Sequence, residues 1–272
     1  MRESTKRTVR LRRALSRWRR LGALLHAPFP FVEGNRLRPL DESQHYFDVM
    51  RTAIERAKRT VDVEMYMWEA DAVGAGFAER LADAARRGVR VRVVADAFGA
   101  REALSGPLRA TAAAGADVRA FNPLRVPVVR SVYHRTHKKL LVVDGVRAFC
   151  GGAGFSLHFS GVKRDERPWH DRMFEVRGPL VGQLAMVFEA DFCRWRGGRP
   201  IRAPEPDPRR PEAVGPARGR VLRGWPDPRD FTGRFLRAVT RATERVWIGT
   251  PYFLPPFGLR RALRAALAPE HE

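Results

Sequence analysis

Cysteine is nearly absent from this chain: Cys150 and Cys193 are the only two in 272 residues. That excludes a disulfide framework and a cysteine-built metal cluster, and it suits a reducing cytoplasm. Long apolar runs are also missing. No stretch of 18 or more apolar residues occurs, so no segment reads as spanning a bilayer. Acidic residues are scarce relative to basic ones, 30 Asp and Glu against 51 Lys and Arg, for a formal charge of +21. Such a balance favours an anionic partner, either a phospholipid surface or nucleic acid. Arginine far outnumbers lysine, as a GC-rich genome also produces, so charge alone does not choose between them. What the chain does have is 44% hydrophobic content. This excludes general disorder and suffices for one full α/β domain with a partial second unit.

The amino terminus combines both signals. From Val9 to Leu25, residues Leu11, Leu15, Trp18, Gly22 and Leu25 recur at helical spacing, and Arg10, Arg12, Arg13, Arg17, Arg19 and Arg20 fill the rest of the circumference. Residues 1–28 are therefore expected to form a basic amphipathic helix or arm. Its leucines and tryptophan suit the acyl boundary of an anionic membrane, and each arginine near the surface adds about 1 kcal/mol of attraction. A solvated arm, a helix docked on the domain, or one bound to nucleic acid or a partner protein are the alternatives. Arginines interrupt the apolar stretch, which argues against a cleavable signal peptide.

Beyond this arm the pattern alternates. Ser43 to Lys58 reads as a helix with Phe47, Met50, Ala53, Ile54 and Ala57 on one face. Val61 to Trp68 reads as a strand, and a second helix runs from about Ala75 to Arg87, capped by Gly88. Val89 to Ala95 is another strand, and a further helix and strand lead to Phe121. His137 to Val143 and Arg147 to Phe149 form a hairpin around Asp144-Gly145, Met173 to Val176 is a strand, and Gly178-Pro179 opens a helix carrying Val181, Leu184, Val187, Phe188 and Phe192 inward. Alternation of this kind predicts a mostly parallel or mixed sheet covered by helices, the α/β class.

Chemistry concentrates in one segment, Tyr133 to Asp144 (YHRTHKKLLVVD), followed by Gly151-Gly152. Residues i and i+2 of a strand project from one face, so His137 and Lys139 share a side while Lys138 turns away. A neutral imidazole can attack phosphorus, and a fixed ammonium offsets the charge gathering on the phosphoryl oxygens, with no metal or other cofactor required. Leu140 to Val143 reads as the buried part of the strand, and Asp144 as a residue that orients the site rather than reacting.

This His-x-Lys-x-x-x-x-Asp spacing with its trailing glycines resembles the signature of the phospholipase D superfamily, and the surroundings look most like the bacterial cardiolipin synthase branch. The resemblance is carried as well by Glu33-Gly34-Asn35-Arg36, by Val61 to Trp68, by Arg87-Gly88-Val89-Arg90-Val91 running to Asp96, by Ala114 to Pro123, and by Trp169-His170-Asp171 leading to Arg177-Gly178-Pro179. It implies a phospholipase D-like mixed sheet flanked by helices. It also implies that His137 is the nucleophile, that Lys139 stabilises charge, that Asp144 supports the site, and that Asp171 hydrogen-bonds the far imidazole nitrogen. Gly151 and Gly152 would let the backbone approach phosphate, and Glu64 and Asp96 would point from strand ends toward the cleft. Where the family has Asn two residues after the second glycine, this chain has Gly154, and Ser156 is the nearest polar replacement.

The chain also repeats itself. Phe235 to Phe253 echoes Met50 to Trp68 at an offset of 185, pairing Ile54 with Val239, Ala57 with Ala242, Val61 with Val246 and Val63 with Ile248. The expected organisation is an arm (1–28), a catalytic half (29–196), a Pro- and Arg-rich linker (197–228) and the truncated start of a second half (229–272). The same offset places a counterpart of His137 near position 322, beyond Glu272. None of His26, His45, His158, His170 or His271 heads a second motif, and His134 reads as a local strand residue.

The resemblance implies two such motifs at a pseudo-twofold interface, one histidine attacking and the other protonating the leaving oxygen. The expectation is thus phosphatidyl transfer through a phosphohistidine on His137, impaired by the missing second motif unless two chains pair as a homodimer. Phosphatidylglycerol and cardiolipin are the implied lipids, and the implied place is the cytoplasmic, inner face of the membrane, held peripherally. The alternatives are a hydrolase or nuclease acting as a homodimer, or a non-catalytic fragment that binds anionic membranes. Nucleic acid is the lesser candidate, because no base-stacking series of aromatics accompanies the charge.

Overall fold

A computed structural model describes residues 29–41, 43–123, 135–161, 171–194, 212–222, 228–250 and 253–267. The expected helix within 1–28, His134, Trp169-His170 and the proline-rich 197–211 lie outside the described residues. Contacts group the chain into two units, one spanning Phe31–Arg220 and the other combining 1–30 with 221–272.

The strands of the larger unit are β1 (Val32–Leu40), β2 (Thr60–Met65), β3 (Arg90–Asp96), β4 (Asp117–Phe121), β5 (Lys139–Val143), β6 (Arg147–Gly151), β7 (Met173–Arg177) and β8 (Ala217–Gly219). They form one eight-stranded sheet in the order β4-β3-β2-β5-β6-β7-β1-β8. The β2–β3–β4 side is parallel and the remainder antiparallel. The helices are α1 (Ser43–Glu55), α2 (Ala72–Arg86), α3 (Arg101–Ser105), α4 (Pro107–Ala113) and α5 (Leu180–Arg194). The fold is α/β, a mixed sheet flanked by helices.

Each face of the sheet has its own cover. Val61, Val63, Met65, Leu141, Val143 and Phe149 pack with Phe47, Met50 and Ile54 of α1 and Phe77 and Leu81 of α2 in one core. The opposite face meets α5, where Val181 and Phe188 are fully buried. That second layer is charged as well as apolar. Arg92 is buried and grips both oxygens of Asp62 at 2.7 and 2.8 Å, with Glu189 of α5 at 2.7 Å. Its guanidinium lies over Phe188 and Phe192.

Two findings modify the expected boundaries. Part of the expected linker joins the sheet, because Ala217–Gly219 pairs with β1 at the sheet edge. Asn35, fully buried, fastens this edge: its Nδ2 donates to Val32 and Ala217 carbonyls and its Oδ1 accepts the first amide of α5, that of Leu180. Neighbouring Gly34 has φ +81, and a Cβ there would lie 2.5 Å from Ala213. The other modification is at β5, which begins at Lys139 rather than His137, leaving the histidine at the strand's mouth.

In the smaller unit, the helices α6 (Pro228–Thr240) and α7 (Phe257–Leu267) are described. Among the described residues, no helix is long and apolar enough to cross a membrane.

Candidate active site

The site assembles where β2 and β5 end side by side. The amide of Tyr66 donates to the carbonyl of Lys138, extending the β2–β5 pairing one step past the strands. This brings the Tyr66 ring onto the imidazole of His137, with centroids 4.1 Å apart and planes at 19°. Lys139 Nζ closes the group, 5.3 Å from the Tyr66 centroid and donating to the His137 carbonyl at 2.9 Å. Tyr66 lay in the strand segment identified from sequence but not among its candidate site residues. No sequence signal marked it, because the platform exists only once β2 and β5 pair.

Electrostatics suit an uncharged imidazole. Partial burial lowers the pKa of His137, the Lys139 ammonium lowers it further, and Asp96 opposes them. Burial also lowers that of Lys139, with Asp171 acting in the other direction. An exposed, neutral imidazole beside a partly desolvated ammonium can attack an electrophilic phosphorus and meet the charge that develops.

Asp96 is fully buried and does not face an open cleft. Its Oδ1 accepts the amides of Phe98 and Gly99 at 2.9 and 3.1 Å, and its Oδ2 accepts that of Thr136 at 3.1 Å. Gly99 is the seat of Tyr66, since a Cβ there would lie 2.9 Å from the tyrosine ring. Asp96 thus braces both partners of the His137–Tyr66 stack from below.

Glu64 likewise departs from the expected cleft-facing position. It points to the α5 side, fully buried, and its Oε1 accepts from Thr136 Oγ1 at 2.6 Å and Lys138 Nζ at 3.0 Å. Lys138 also pairs with Asp191 of α5. Burial raises the Glu64 carboxyl to about 7, with Asp191 adding and Lys138 and Thr136 subtracting. Burial works against the charge of Lys138, but Glu64 and Asp191 raise its pKa overall. The two residues flanking His137 are therefore tied to one carboxylate oxygen.

The other expected residues divide. Asp171 is drawn into the site against Gly152, where any Cβ would overlap its carboxylate, and its charge acts on Lys139 and on Tyr46. Gly151 makes room for the backbone of Arg172 and Met173. These glycines accommodate β7 and the acidic residue before it, rather than leaving a gap for phosphate. Asp144 lies at the opposite end of β5 from His137. Its carboxylate accepts the amides of Lys58, Arg59 and Thr60 at 3.0, 2.7 and 2.9 Å, anchoring the start of β2. Ser156 is buried, donates to Glu69 at 2.6 Å and caps the short turn Leu157–Phe159, so its hydroxyl is engaged in folding. Gly154 cannot carry the amide expected at that place, because a Cβ would lie 2.6 Å from the Met67 carbonyl oxygen.

A mixed sheet that sets an imidazole and an ammonium together at one strand end defines a phospholipase D-like α/β domain. Residues 50–162 match the family model described as "Cardiolipin synthase, PLD-like domain", and through this segment the chain is similar to the phospholipase D superfamily, on its cardiolipin synthase-like side. It is 30% identical over 241 residues to cardiolipin synthase A of Pseudomonas putida strain W619, covering 88% of this chain and 50% of that one. It is 27% identical over 233 residues to cardiolipin synthase of Geobacillus kaustophilus, covering 84% and 46%. The chain therefore spans about half the length of these relatives. Among solved structures it is similar to Nuc of Salmonella typhimurium, a phospholipase D family member, with 18% identity, 60% and 97% coverage and a TM-score of 0.46.

Proposed function

We propose that this chain supplies the histidine-bearing half of a phosphatidyl-transfer enzyme that forms cardiolipin from phosphatidylglycerol. The observation that carries the reading is the exposed imidazole of His137, stacked on Tyr66 and adjoining Lys139, with its pKa lowered by burial and by that ammonium. In the first step an imidazole nitrogen bonds to phosphorus of one phosphatidylglycerol, the bond from phosphorus to the glycerol oxygen breaks, and that oxygen takes a proton. In the second step the glycerol hydroxyl of another phosphatidylglycerol attacks, the nitrogen–phosphorus bond breaks, and the hydroxyl proton is returned to the base. Two phosphatidylglycerols thus give cardiolipin and glycerol. Lys139 offsets charge on the phosphoryl oxygens in both steps. Asp171 acts through Lys139, and Asp96 and Glu64 hold the nucleophile in place. The proton donor is a second histidine, contributed by a second half-domain or by another copy of the chain.

The relatives' names and the net charge of +21 support a membrane-associated reading, with the chain held peripherally at the inner, cytoplasmic face. Water in place of the acceptor lipid would give phosphatidic acid through the same intermediate. The deciding assay is cardiolipin formation from phosphatidylglycerol liposomes by the chain and by His137→Ala over a range of protein concentrations. Product rising faster than linearly with protein, and absent from the variant, supports an assembly of single-motif chains. Equal product from both proteins overturns the role of His137.

A further inference from the structure

One side of the sheet is apolar beneath α1 and α2 but becomes a cluster of arginines where it continues onto β6, β7 and β1. Arg147, Arg177 and Arg36 stand directly opposite one another on these three adjacent strands. Arg38 lies in the next row, opposite Glu175. Like charges in direct cross-strand pairs are destabilising unless a counter-charge sits among them. A single carboxylate does so here. Glu175 is buried, its Oε1 accepting from Arg147 and Arg177 at 2.6 and 2.8 Å and its Oε2 from Arg38 at 3.0 Å. Burial works against its charge, yet these guanidiniums hold its carboxyl below the ordinary range. Both oxygens are taken, and Arg36 has no carboxylate partner among the described residues.

Four guanidiniums against one carboxylate leave three positive charges and most of their N–H donors unspent. Arg36, Arg38, Glu175 and Arg177 line a concavity of about 220 Å³. Arginine forks match the oxygens of a phosphate, and charge-assisted bonds of this type are the strong ones. We propose that this concavity is a second phosphate-binding site, for one isolated phosphate group borne either by an anionic lipid headgroup or free in solution. It is separate from His137: its two rows are those of Arg147 and Phe149, about 13 and 7 Å along β6 from Gly151 at the usual rise per residue, and its residues lie on β7 and β1, two and three strands away from β5. A single cavity closed on one side by Glu175 suits one compact headgroup rather than the row of phosphates along a nucleic acid. The site does not depend on turnover at His137.

The test is titration of the full chain with inorganic phosphate, using His137→Ala to weaken anion binding at the nucleophile, and the same protein with Arg36→Ala added. Arg36 is exposed and makes no ion pair among the described residues, so its removal leaves the fold intact; Arg177→Ala is the second variant. Affinity should fall about tenfold on adding either change, as expected for losing one charge-assisted contact. Unchanged affinity in both, or no binding to His137→Ala, overturns the site. Phosphatidylglycerol vesicles that displace the phosphate identify the headgroup as its source, and failure to displace it identifies free phosphate. Displacement by a single-stranded oligonucleotide and not by vesicles overturns the reading of a single compact ligand.

Discussion

The same motif of helix, strand and helix occurs twice in this chain, and it folds fully only once. Helix α1 begins at Ser43 and α6 at Pro228; α2 begins at Ala72 and α7 at Phe257. Both pairs are separated by the 185-residue offset seen in sequence. Between the helices the two copies part. Residues 60–65 form β2, with Val61 and Val63 fully buried, whereas residues 245–250 form no strand, and Trp247 is 85% exposed. A helix closes its hydrogen bonds within its own segment, so the apolar periodicity of α6 and α7 is enough to write them. A strand leaves its backbone groups open until a neighbour pairs with them. β2 has β3 on one side and β5 on the other, and among the described residues 245–249 has no strand on either side.

Matched truncations at equivalent positions should break the symmetry most sharply. Trp68 is fully buried, donating to Gly74, and its counterpart Phe253 is 53% exposed. Trp68→Ala should cost about 3–5 kcal/mol in urea unfolding, and Phe253→Ala about 0.5 kcal/mol or less. Equal losses would mean that the second copy is as well packed as the first.

A pH effect of up to about 3 kcal/mol should belong to the first copy alone. The counterpart of Glu64 is Gly249, which carries no acid. Because the folded protein raises the Glu64 carboxyl from 4.5 to about 7, the stability it contributes is complete below pH 4.5 and is lost as pH rises through about 7. Glu64→Gln should flatten that fall across pH 4.5–7, read from urea midpoints at several pH values. An unchanged slope would remove Glu64 as its source. Buried Asp62, whose pKa burial also raises, continues to contribute in the same direction.

Asp144→Ala should destabilise by about 1–3 kcal/mol, since three amides at the start of β2 lose their acceptor. The pH dependence of phosphatidyl transfer should stay unchanged, which separates a structural role from a catalytic one. The smallest effect requires no mutation: amides of residues 61–64 should exchange with the protection of global unfolding, and those of 246–249 with almost none.

Much of this architecture was legible because it is written locally. The helices α1 and α2, the strands β2 and β3, and the hairpin turning at Asp144-Gly145 follow from period and turn chemistry. The pairing of His137 with Lys139 followed from their spacing. What escaped was whatever depends on the distant chain. Nothing in Val61 to Trp68 marks Glu64 for burial against Lys138, 74 residues away, or Tyr66 as the platform for His137. Asp144 was assigned to the site on its place in the motif and Ser156 as the nearest polar replacement for the missing amide, but both are engaged by backbone or by a neighbouring carboxylate. Gly152 was read as space for a ligand, and it is space for Asp171.

The two ends of β5 carry a further consequence. Leu140, Leu141, Val142 and Val143 are all apolar and all buried, so the strand has no in-and-out alternation to fix its phase. A slip of one residue would bury an equally greasy set of side chains. The phase is instead set by polar anchors, Thr136 and Lys138 on Glu64 and Asp191 at one end and Asp144 on the amides of 58–60 at the other. A slip would strand two buried carboxylates and turn His137 to the opposite side of the sheet. The polar residues around His137 thus act as the strand's alignment marks, and they decide on which side of the sheet the imidazole stands.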